Sequence, residues 1–462
     1  MPTDAPDALI GLTAAELAPG RRASRTGPVP PRAFDLAAAV TGLPPFYPLD
    51  GPPTADEALL LGALVAELAA QELPGPGTAI LATDLRFFGA PAPDEQVTTA
   101  LTVASADGKT GEVVLEAAVS GATGRELAAG RLVVRPPRER VTIPHTERPT
   151  IVLQRHPHLA RLLARAAEEE PLRAAVAWPC DRDSLLGPLQ AARRGFLAPV
   201  LVGPRSAIAA AADAAGVGLD GVELVEADDP RAAADAAAAL CRDGRADALM
   251  KGSLHTDELM AAVVSRANGL RGGRRISHVF ALDVPAYPKP LFVTDAAINI
   301  APDLMAKADI LENAAELVRA LGVPMPKVAV LAAVETVNPA MPATMDAAML
   351  SKMAERGQIA GALVDGPLAF DNAVSRAAAK TKRIESAVAG DADVLLAPNL
   401  EAGNMVAKQL AYLAGAESAG LVLGARVPVI LTSRADSVTA RLASAALAQL
   451  AVAARRRGTA AG

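Results

Sequence analysis

The chain has 462 residues, and at roughly 150 residues per domain this length predicts two to four domains. Its formal net charge is −6, with acidic and basic residues interspersed, which argues against a nucleic-acid partner because phosphate-backbone binding needs a concentrated positive face. The two cysteines, Cys180 and Cys241, form no CxxC motif or Cys/His cluster, so neither a metal site nor a disulfide framework is expected.

Residues 1–138 are predicted to form one α+β module. No basic segment followed by an apolar stretch opens the chain, so no signal peptide is predicted. An apolar helix is predicted over Ala55 to Gln71, and segments of alternating hydrophobicity follow near Thr98, Glu112 and Arg131. Such alternation is typical of half-buried strands, and a helix followed by strands indicates an α+β fold. Residues 139–149 are predicted to be a linker.

Residues 150–462 have a different pattern, in which short apolar strands alternate with amphipathic helices. Helices are predicted over Pro302 to Leu321 and Ala343 to Arg356, and the strands include Lys327 to Leu331 and Asp393 to Ala397. This alternation is typical of parallel α/β layers with both sheet faces covered. Because more than about 300 residues exceed one compact core, we predict two α/β lobes with a cleft between them.

The last apolar helix candidate, Leu442 to Ala454, is interrupted by Ser444 and Gln449. It is also too short to span a bilayer, which takes about 20 apolar residues. We therefore expect a cytoplasmic protein with no membrane partner.

Several predicted strands of the second half run into polar loops. In open parallel sheets, ligands bind outside the carboxyl ends of the strands. In the first of these loops, Lys251 and Gly252 offer a cation and backbone N–H groups to a phosphate. Taken singly, such loops are more typical of helix capping and turns than of ligand binding.

The wording and order of the loops carry more information than any one loop. They read KGSLHT at 251–256, TDAAIN at 294–299, ETVNPAMPATMD at 335–346, VDGPLAFDNA at 364–373 and TSRADS at 432–437. This series closely resembles the phosphate acetyl/butyryltransferase family, from about residue 150 to about residue 455. The resemblance implies a two-lobed α/β fold related to that of isocitrate dehydrogenase, an active site between the lobes, and a homo-oligomer, usually a dimer.

The resemblance also implies a reaction, the exchange of a short acyl group between coenzyme A and inorganic phosphate. Coenzyme A is then a substrate, and no separate cofactor or metal is expected. Ser433 would hydrogen-bond the thiol, the thiolate or the tetrahedral oxygen, and Arg434 would hold phosphate through its planar fork. The further residues expected to contact acyl-CoA or phosphate are Lys251, Gly252, His255, Thr256, Thr294, Asp295, Asn299, Asp365, Asp371 and Asn404.

One position departs from the family pattern. The acetyl-specific members have a carboxylate, the proposed base, seven residues beyond the motif serine, and here that position is Ala440. Asp436 is the nearest carboxylate and a candidate for the base. His255 is expected either to contact ligand or to cap the next helix. His278 is expected to be a hydrogen-bonded core histidine, and Cys180 a small buried hydrophobe.

Residues 1–137 resemble the hot-dog-fold enoyl-CoA hydratases of the MaoC type, through segments such as FDLAAAVTG at 34–42 and LPGPGT at 73–78. That family hydrates a double bond with an Asp and a His spaced five apart. The matching positions are Leu43 and Pro48, and no histidine precedes His145. Since Leu and Pro cannot transfer a proton, we expect a degenerate module without hydratase activity.

Three other functions remain alternatives. A bifunctional enzyme would keep an active hydratase module. A CoA-binding scaffold without catalysis would fit Ala440, although the Ser433-Arg434 pair argues against it. An NAD(P)-dependent dehydrogenase of the isocitrate type would share the fold, but no GxGxxG frame surrounds Gly272-Gly273.

Overall fold

A computed structural model describes residues 8–42, 53–144, 156–431 and 437–460, with the side chains of the last two residues of that final range left out. The chain divides into two compact units, Met1–Leu153 and Gln154–Gly462. Among the helices so described, none is both long enough and apolar enough to cross a membrane.

The first unit is an antiparallel sheet with helices. Its five main strands pair in the order β2-β4-β5-β6-β3, and a separate two-stranded ladder joins β1 to β7. The predicted α+β module is therefore confirmed, although part of the predicted linker forms β7. The elements are β1 (Ala8–Gly11), a short 3-10 helix (Ala14–Glu16), β2 (Arg22–Pro28), α1 (Pro31–Thr41), α2 (Ala55–Gln71), β3 (Ala79–Phe87), β4 (Gln96–Ala106), β5 (Val113–Ser120), β6 (Glu126–Arg135) and β7 (Val141–Pro144).

Helix α2 shows how local sequence and packing agree in this unit. Its bounds match the predicted helix, and the N-terminal Thr54 donates its backbone N–H to the Glu57 carboxylate at 2.8 Å, which satisfies one free donor of the first turn. Leu61 and Leu68 are fully buried against the sheet. Each such side chain contributes about 1.5–3 kcal/mol of apolar burial.

The second unit is built on one mixed sheet of eleven strands, in the order β10-β9-β8-β11-β18-β17-β12-β13-β16-β14-β15. The elements are α3 (Pro157–Ala167), β8 (Leu172–Ala177), α4 (Arg182–Arg193), β9 (Leu197–Val202), α5 (Arg205–Ala215), β10 (Glu223–Val225), α6 (Pro230–Arg242), β11 (Ala248–Lys251), α7 (Thr256–Val264), β12 (Ser277–Asp283), β13 (Leu291–Thr294), α8 (Leu304–Ala320), β14 (Lys327–Leu331), α9 (Pro342–Glu355), β15 (Leu363–Leu368), α10 (Phe370–Val374), α11 (Arg376–Thr381), β16 (Val394–Leu396), α12 (Leu400–Tyr412), β17 (Glu417–Leu423), β18 (Val429–Ile430) and α13 (Val438–Ala460).

The strand directions refine the predicted architecture. The strands β10, β9, β8, β11 and β18 run parallel to one another. The strands β13, β16, β14 and β15 form a second parallel group. These two groups correspond to the two predicted α/β lobes. Between them, β17 and β12 pair antiparallel with each other and with their outer neighbours, so the sheet is not parallel throughout. These strands pair antiparallel because their connections are short. Residues 284–290 join β12 to β13 and residues 424–428 join β17 to β18, and both connections are shorter than the dozen or so residues that a parallel crossover needs.

Candidate active site

The loop after β11 is held by backbone contacts that leave no room for a side chain. The Gly252 N–H donates to the Ala177 carbonyl at 2.8 Å, and a Cβ on Gly252 would overlap the carbonyl oxygens of Ala177 and Trp178. The Lys251 ammonium donates to the carbonyls of Gly252 at 3.1 Å and Leu254 at 3.3 Å. The lysine therefore lies over its own loop and is half-buried.

Strand pairing places this loop beside β18, the strand that precedes the serine–arginine motif in the sequence. Met250 pairs with Ile430 in the parallel ladder of β11 and β18, so Lys251 lies level with Leu431, the last described residue before the motif. Ser433, Arg434 and Asp436 lie outside the described residues. Their predicted roles stay predictions.

The chain is described again from Ser437, which immediately precedes α13. The Ala440 N–H donates to the Ser437 hydroxyl at 3.0 Å, as in a helix N-cap. Ala440, which occupies the position of the acetyl-branch carboxylate, is buried. No acid or base is available at this position of the helix.

His255 and Thr256 lie at the exposed start of α7. His255 is the N-cap residue, and its backbone N–H donates to the Glu258 carboxylate at 2.8 Å. The capping position that the sequence offered as one alternative for His255 is thus observed. A contact with ligand stays a prediction for both residues.

The loop after β13 differs, because its polar groups bind one another. Asp295 is 2% exposed, and its carboxylate accepts the N–H groups of Ala297 at 2.9 Å, Ile298 at 3.0 Å and Asn299 at 3.2 Å. It also accepts from the Asn299 side chain at 2.5 Å. Thr294, fully buried, donates its hydroxyl to the His278 carbonyl at 2.9 Å.

Asn299 extends this network to a residue that the sequence analysis missed. Its amide donates to the Ile276 carbonyl at 2.9 Å, and its oxygen accepts from Arg275 Nε at 2.7 Å. Arg275 is exposed, and within the described parts of the chain nothing pairs with its two terminal nitrogens. The sequence feature that could have indicated Arg275 is the pair Arg274-Arg275, which follows two glycines.

Helix α12 packs directly on the same loop. The Asn404 amide donates to the Ala296 carbonyl at 3.0 Å, and a Cβ on Gly403 would clash with the Asp295 carbonyl oxygen. Thr294, Asp295, Asn299 and Asn404 are thus brought together. Ile298 of this loop packs against the same apolar cluster as Leu431, so the loop approaches the strand that leads to Ser433.

Asp365 and Asp371 belong to a different group at the far end of the sheet. Asp365 lies within β15, and exposed Asp371 lies in the first turn of α10, with its carboxylate 3.7 Å from the Lys382 ammonium. Lys382 also contacts Glu335 at 3.0 Å, and this hydrogen bond holds the pKa of Glu335 below its usual value. Glu335 and its second partner, buried Asn372, were not among the predicted site residues.

Two side chains, His278 and Cys180, are uncharged at pH 7. Burial lowers the pKa of the His278 imidazole to about 4, against the opposing charge of Asp295, so this histidine is neutral at pH 7. The expectation that it is fully hydrogen-bonded is wrong, since buried Nδ1 has no partner among the residues described. Burial and the charge of Asp181 raise the pKa of Cys180 to about 11, which keeps the thiol protonated.

Across the described ranges, no group of three or more His, Cys, Asp and Glu side chains could hold a metal ion. In the first unit, Leu43 and Pro48 lie outside the described residues. Asp56 and Glu57 are buried at the start of α2, where Thr54 bonds both carboxylates. This is a capping arrangement.

Comparisons with known proteins relate the second unit to one family. A family model described as phosphate acetyl/butaryl transferase matches residues 230–449. The phosphate acetyltransferase of Rhizobium meliloti is 56% identical over 297 residues, 64% of this chain and 94% of that protein. The phosphate butyryltransferase of Clostridium acetobutylicum is 40% identical over 289 residues, 63% of this chain and 96% of that protein. A branched-chain phosphotransacylase structure from Enterococcus faecalis V583 aligns with a TM-score of 0.55 at 30% identity, covering 61% of this chain and 99% of that one.

Proposed function

The chain belongs to the phosphate acetyl/butyryl transferase family through its second unit, and we propose that it transfers a short acyl group between coenzyme A and inorganic phosphate. The observation that carries the proposal is the β11–β18 pairing, in which Lys251 lies level with Leu431. Two residues after Leu431 comes Ser433-Arg434. A cation at the carboxyl end of β11 therefore lies beside the strand that leads, in the sequence, to the serine–arginine pair.

The reaction needs groups that stabilise the developing negative charge, hold the phosphate and accept the thiol proton. The sulfur of coenzyme A attacks the carbonyl carbon of the acyl phosphate, and the bond from that carbon to the phosphate oxygen then breaks. Ser433 stabilises the developing negative charge by hydrogen bonding, and Arg434, with Lys251 beside it, holds the phosphate. The thiol proton passes to a base, for which Asp436 is the candidate, because Ala440 cannot accept it.

This mechanism uses acyl-CoA and phosphate and no separate cofactor or metal. We propose that the protein acts in the cytoplasm as a homo-oligomer, in line with its composition and with the family to which it belongs. Acetyl and butyryl groups are both proposed as the acyl group that it transfers.

The test is the release of free coenzyme A from acetyl-, propionyl- and butyryl-CoA by the full chain, with and without phosphate. We expect phosphate-dependent release that EDTA leaves intact. Ser433→Ala should lower turnover by the equivalent of roughly 2–4 kcal/mol, and Arg434→Lys should weaken phosphate binding because lysine lacks the planar fork. No release from any of the three substrates would exclude the proposal.

We propose further that the first unit does not hydrate enoyl-CoA. The support is chemical, since Leu43 and Pro48 replace the Asp and His, and no histidine occurs before residue 145. Each positioned acid or base typically contributes 10²–10⁴-fold. Crotonyl-CoA hydration by the full chain carrying Ser433→Ala and Arg434→Ala would instead establish the bifunctional alternative.

A further inference from the structure

Helix α12 has one face packed on the sheet and an exposed face opposite to it. Ala407 is buried in the apolar cluster of β12 and β13, and Val406 and Leu410 pack against the same cluster. At about 3.6 residues per turn, the opposite side of the helix is a line of residues with the spacing i, i+4, i+7 and i+11. These residues, all exposed, form what we call the α12 stripe: Glu401, Met405, Lys408 and Tyr412.

Large apolar side chains are exposed on this stripe and at both ends of it. Met405 is 59% exposed and Tyr412 is 78% exposed, and Leu413, the residue after the helix, is 84% exposed. At the other end, Ile300 is 75% exposed and adjoins the start of α12, because its carbonyl accepts the Leu400 N–H at 3.0 Å. A run of exposed apolar side chains along one element is typical of an interface.

The charged residues of the stripe indicate which partner covers it. Glu401 and Lys408 are separated by two helical turns, about 10 Å along the axis at about 1.5 Å per residue, so they cannot pair with each other within one helix. Within the described ranges neither side chain forms an ion pair. The stripe therefore presents a negative charge near its amino-terminal end and a positive charge two turns later, with Met405 between them.

Two copies of this stripe are complementary when their helices lie antiparallel. Across a two-fold axis that passes beside Met405, Glu401 faces Lys408 of the partner subunit, and the reverse pair forms as well, because an isologous contact that joins one residue to another is always made twice. Tyr412 then extends toward the start of the partner's helix, where the exposed Ile300 of the partner subunit lies. A parallel pairing would instead set Glu401 against its own counterpart.

We propose that the α12 stripe pairs antiparallel with the α12 stripe of a second copy of this chain. The pairing gives the proposed homo-oligomer its interface, and it rests on that proposal. Burial of the apolar side chains drives the association, and the two ion pairs fix its direction and register, since exposed ion pairs add little affinity. Asn404 of the same helix donates to the Ala296 carbonyl, so the pairing also braces the helix that holds the loop after β13.

The experiment is sedimentation equilibrium of the full chain with charge reversals. Glu401→Lys and Lys408→Glu each set like charges against each other twice, so each should weaken association by roughly tenfold or more. The double variant restores opposite charges and should associate as the wild type does. The two single variants, mixed in equal amounts, should associate with each other, because every pair between them is again opposite.

Two further variants complete the test. Tyr412→Ser should also weaken association, because it removes an aromatic side chain from the interface. Lys380→Glu, which reverses an exposed lysine on α11, is the matched control and should leave the sedimented mass unchanged. Circular dichroism of each variant checks that the chain is folded.

A monomeric wild type, unchanged association in both single reversals, or a double reversal that associates no better than the single ones would overturn the proposal. A monomer would also exclude the proposed homo-oligomer, whereas an oligomer that the reversals leave intact would keep the homo-oligomer and reject this face. Sedimentation requires no substrate, so either result is independent of whether the chain transfers acyl groups.

Discussion

The loops after β11 and β13 both carry residues expected to contact substrate, yet they are built in opposite ways. In the loop after β11, His255 and Thr256 are exposed, and close backbone packing at Gly252 fixes the path of the chain. In the loop after β13, Asp295 and Asn299 are buried, and their side chains bond the loop itself and Arg275. The first loop has side chains available for a ligand, whereas the second uses them for its own conformation.

This difference separates two meanings of a family motif. Residues that hold a loop and residues that contact a substrate are both confined to particular types, so a matching sequence does not tell them apart. Their physical consequences differ, because losing a loop-holding residue lowers the free energy of unfolding, while losing a ligand contact lowers affinity or turnover. Single substitutions in the two loops therefore distinguish residues that hold a loop from residues that contact a ligand.

The largest effect is expected for Asp295→Ala. The carboxylate accepts four N–H groups of its own loop, and the substitution would remove the shared acceptor of these donors, of which the two on Asn299 are buried. At about 1–3 kcal/mol for each unsatisfied buried group, partly relieved by relaxation, we expect a loss of about 3–5 kcal/mol in the free energy of unfolding. Urea denaturation measures it, with exposed Thr256→Ala as the control at less than about 0.5 kcal/mol. Similar losses in both variants would remove the distinction between the loops.

The next effect is expected for Gly252→Ala. The added Cβ would meet the carbonyl oxygens of Ala177 and Trp178, which belong to the rigid end of β8 and its loop. Relieving this overlap should cost about 1–3 kcal/mol and displace the backbone beside Lys251. We expect a larger relative loss in the rate of phosphate-dependent CoA release than in the free energy of unfolding. Gly273→Ala, where a Cβ meets nothing within 4 Å, is the matched control and should retain activity.

The sequence predicted the elements that depend on local pattern and the site residues that depend on motif wording. Helix α2 and the alternation of strands and helices in the second unit follow from the periodicity of apolar residues and from capping residues. The antiparallel β12 and β17 were not predicted, because strand direction depends on which short connections turn back within the sheet. Arg275 was missed for a similar reason, since only tertiary pairing brings it to Asn299.

Two histidines sharpen the comparison through pH. Buried His278 lies near the second loop with a pKa of about 4, below the ordinary value of 6.5, whereas His255 is exposed on the first loop. As the pH falls from 6.5 to 4, the unfolded chain takes up a proton that folded His278 does not, so this contribution to stability is present above pH 6.5 and is lost over that window. In urea denaturation at stepped pH, His278→Gln should flatten the dependence and His255→Gln should not. An unchanged slope in the first variant would contradict the assigned pKa.

The smallest effect on stability, and the most direct test of the first loop, is expected for Lys251→Met. The half-buried lysine donates to two carbonyls of its own loop, so its loss should change the free energy of unfolding by less than about 1 kcal/mol. If Lys251 supplies positive charge to the phosphate bound by Arg434, the KM for phosphate should rise by roughly tenfold, about 1.4 kcal/mol, while the KM for acyl-CoA changes little. Lys251→Arg keeps the charge and should recover most of the affinity, which a purely structural role would not predict, because the larger guanidinium fits the existing loop bonds poorly. A variant Lys251→Met that lost stability but kept its KM for phosphate would show that the first loop, like the second, uses its polar side chain to hold itself.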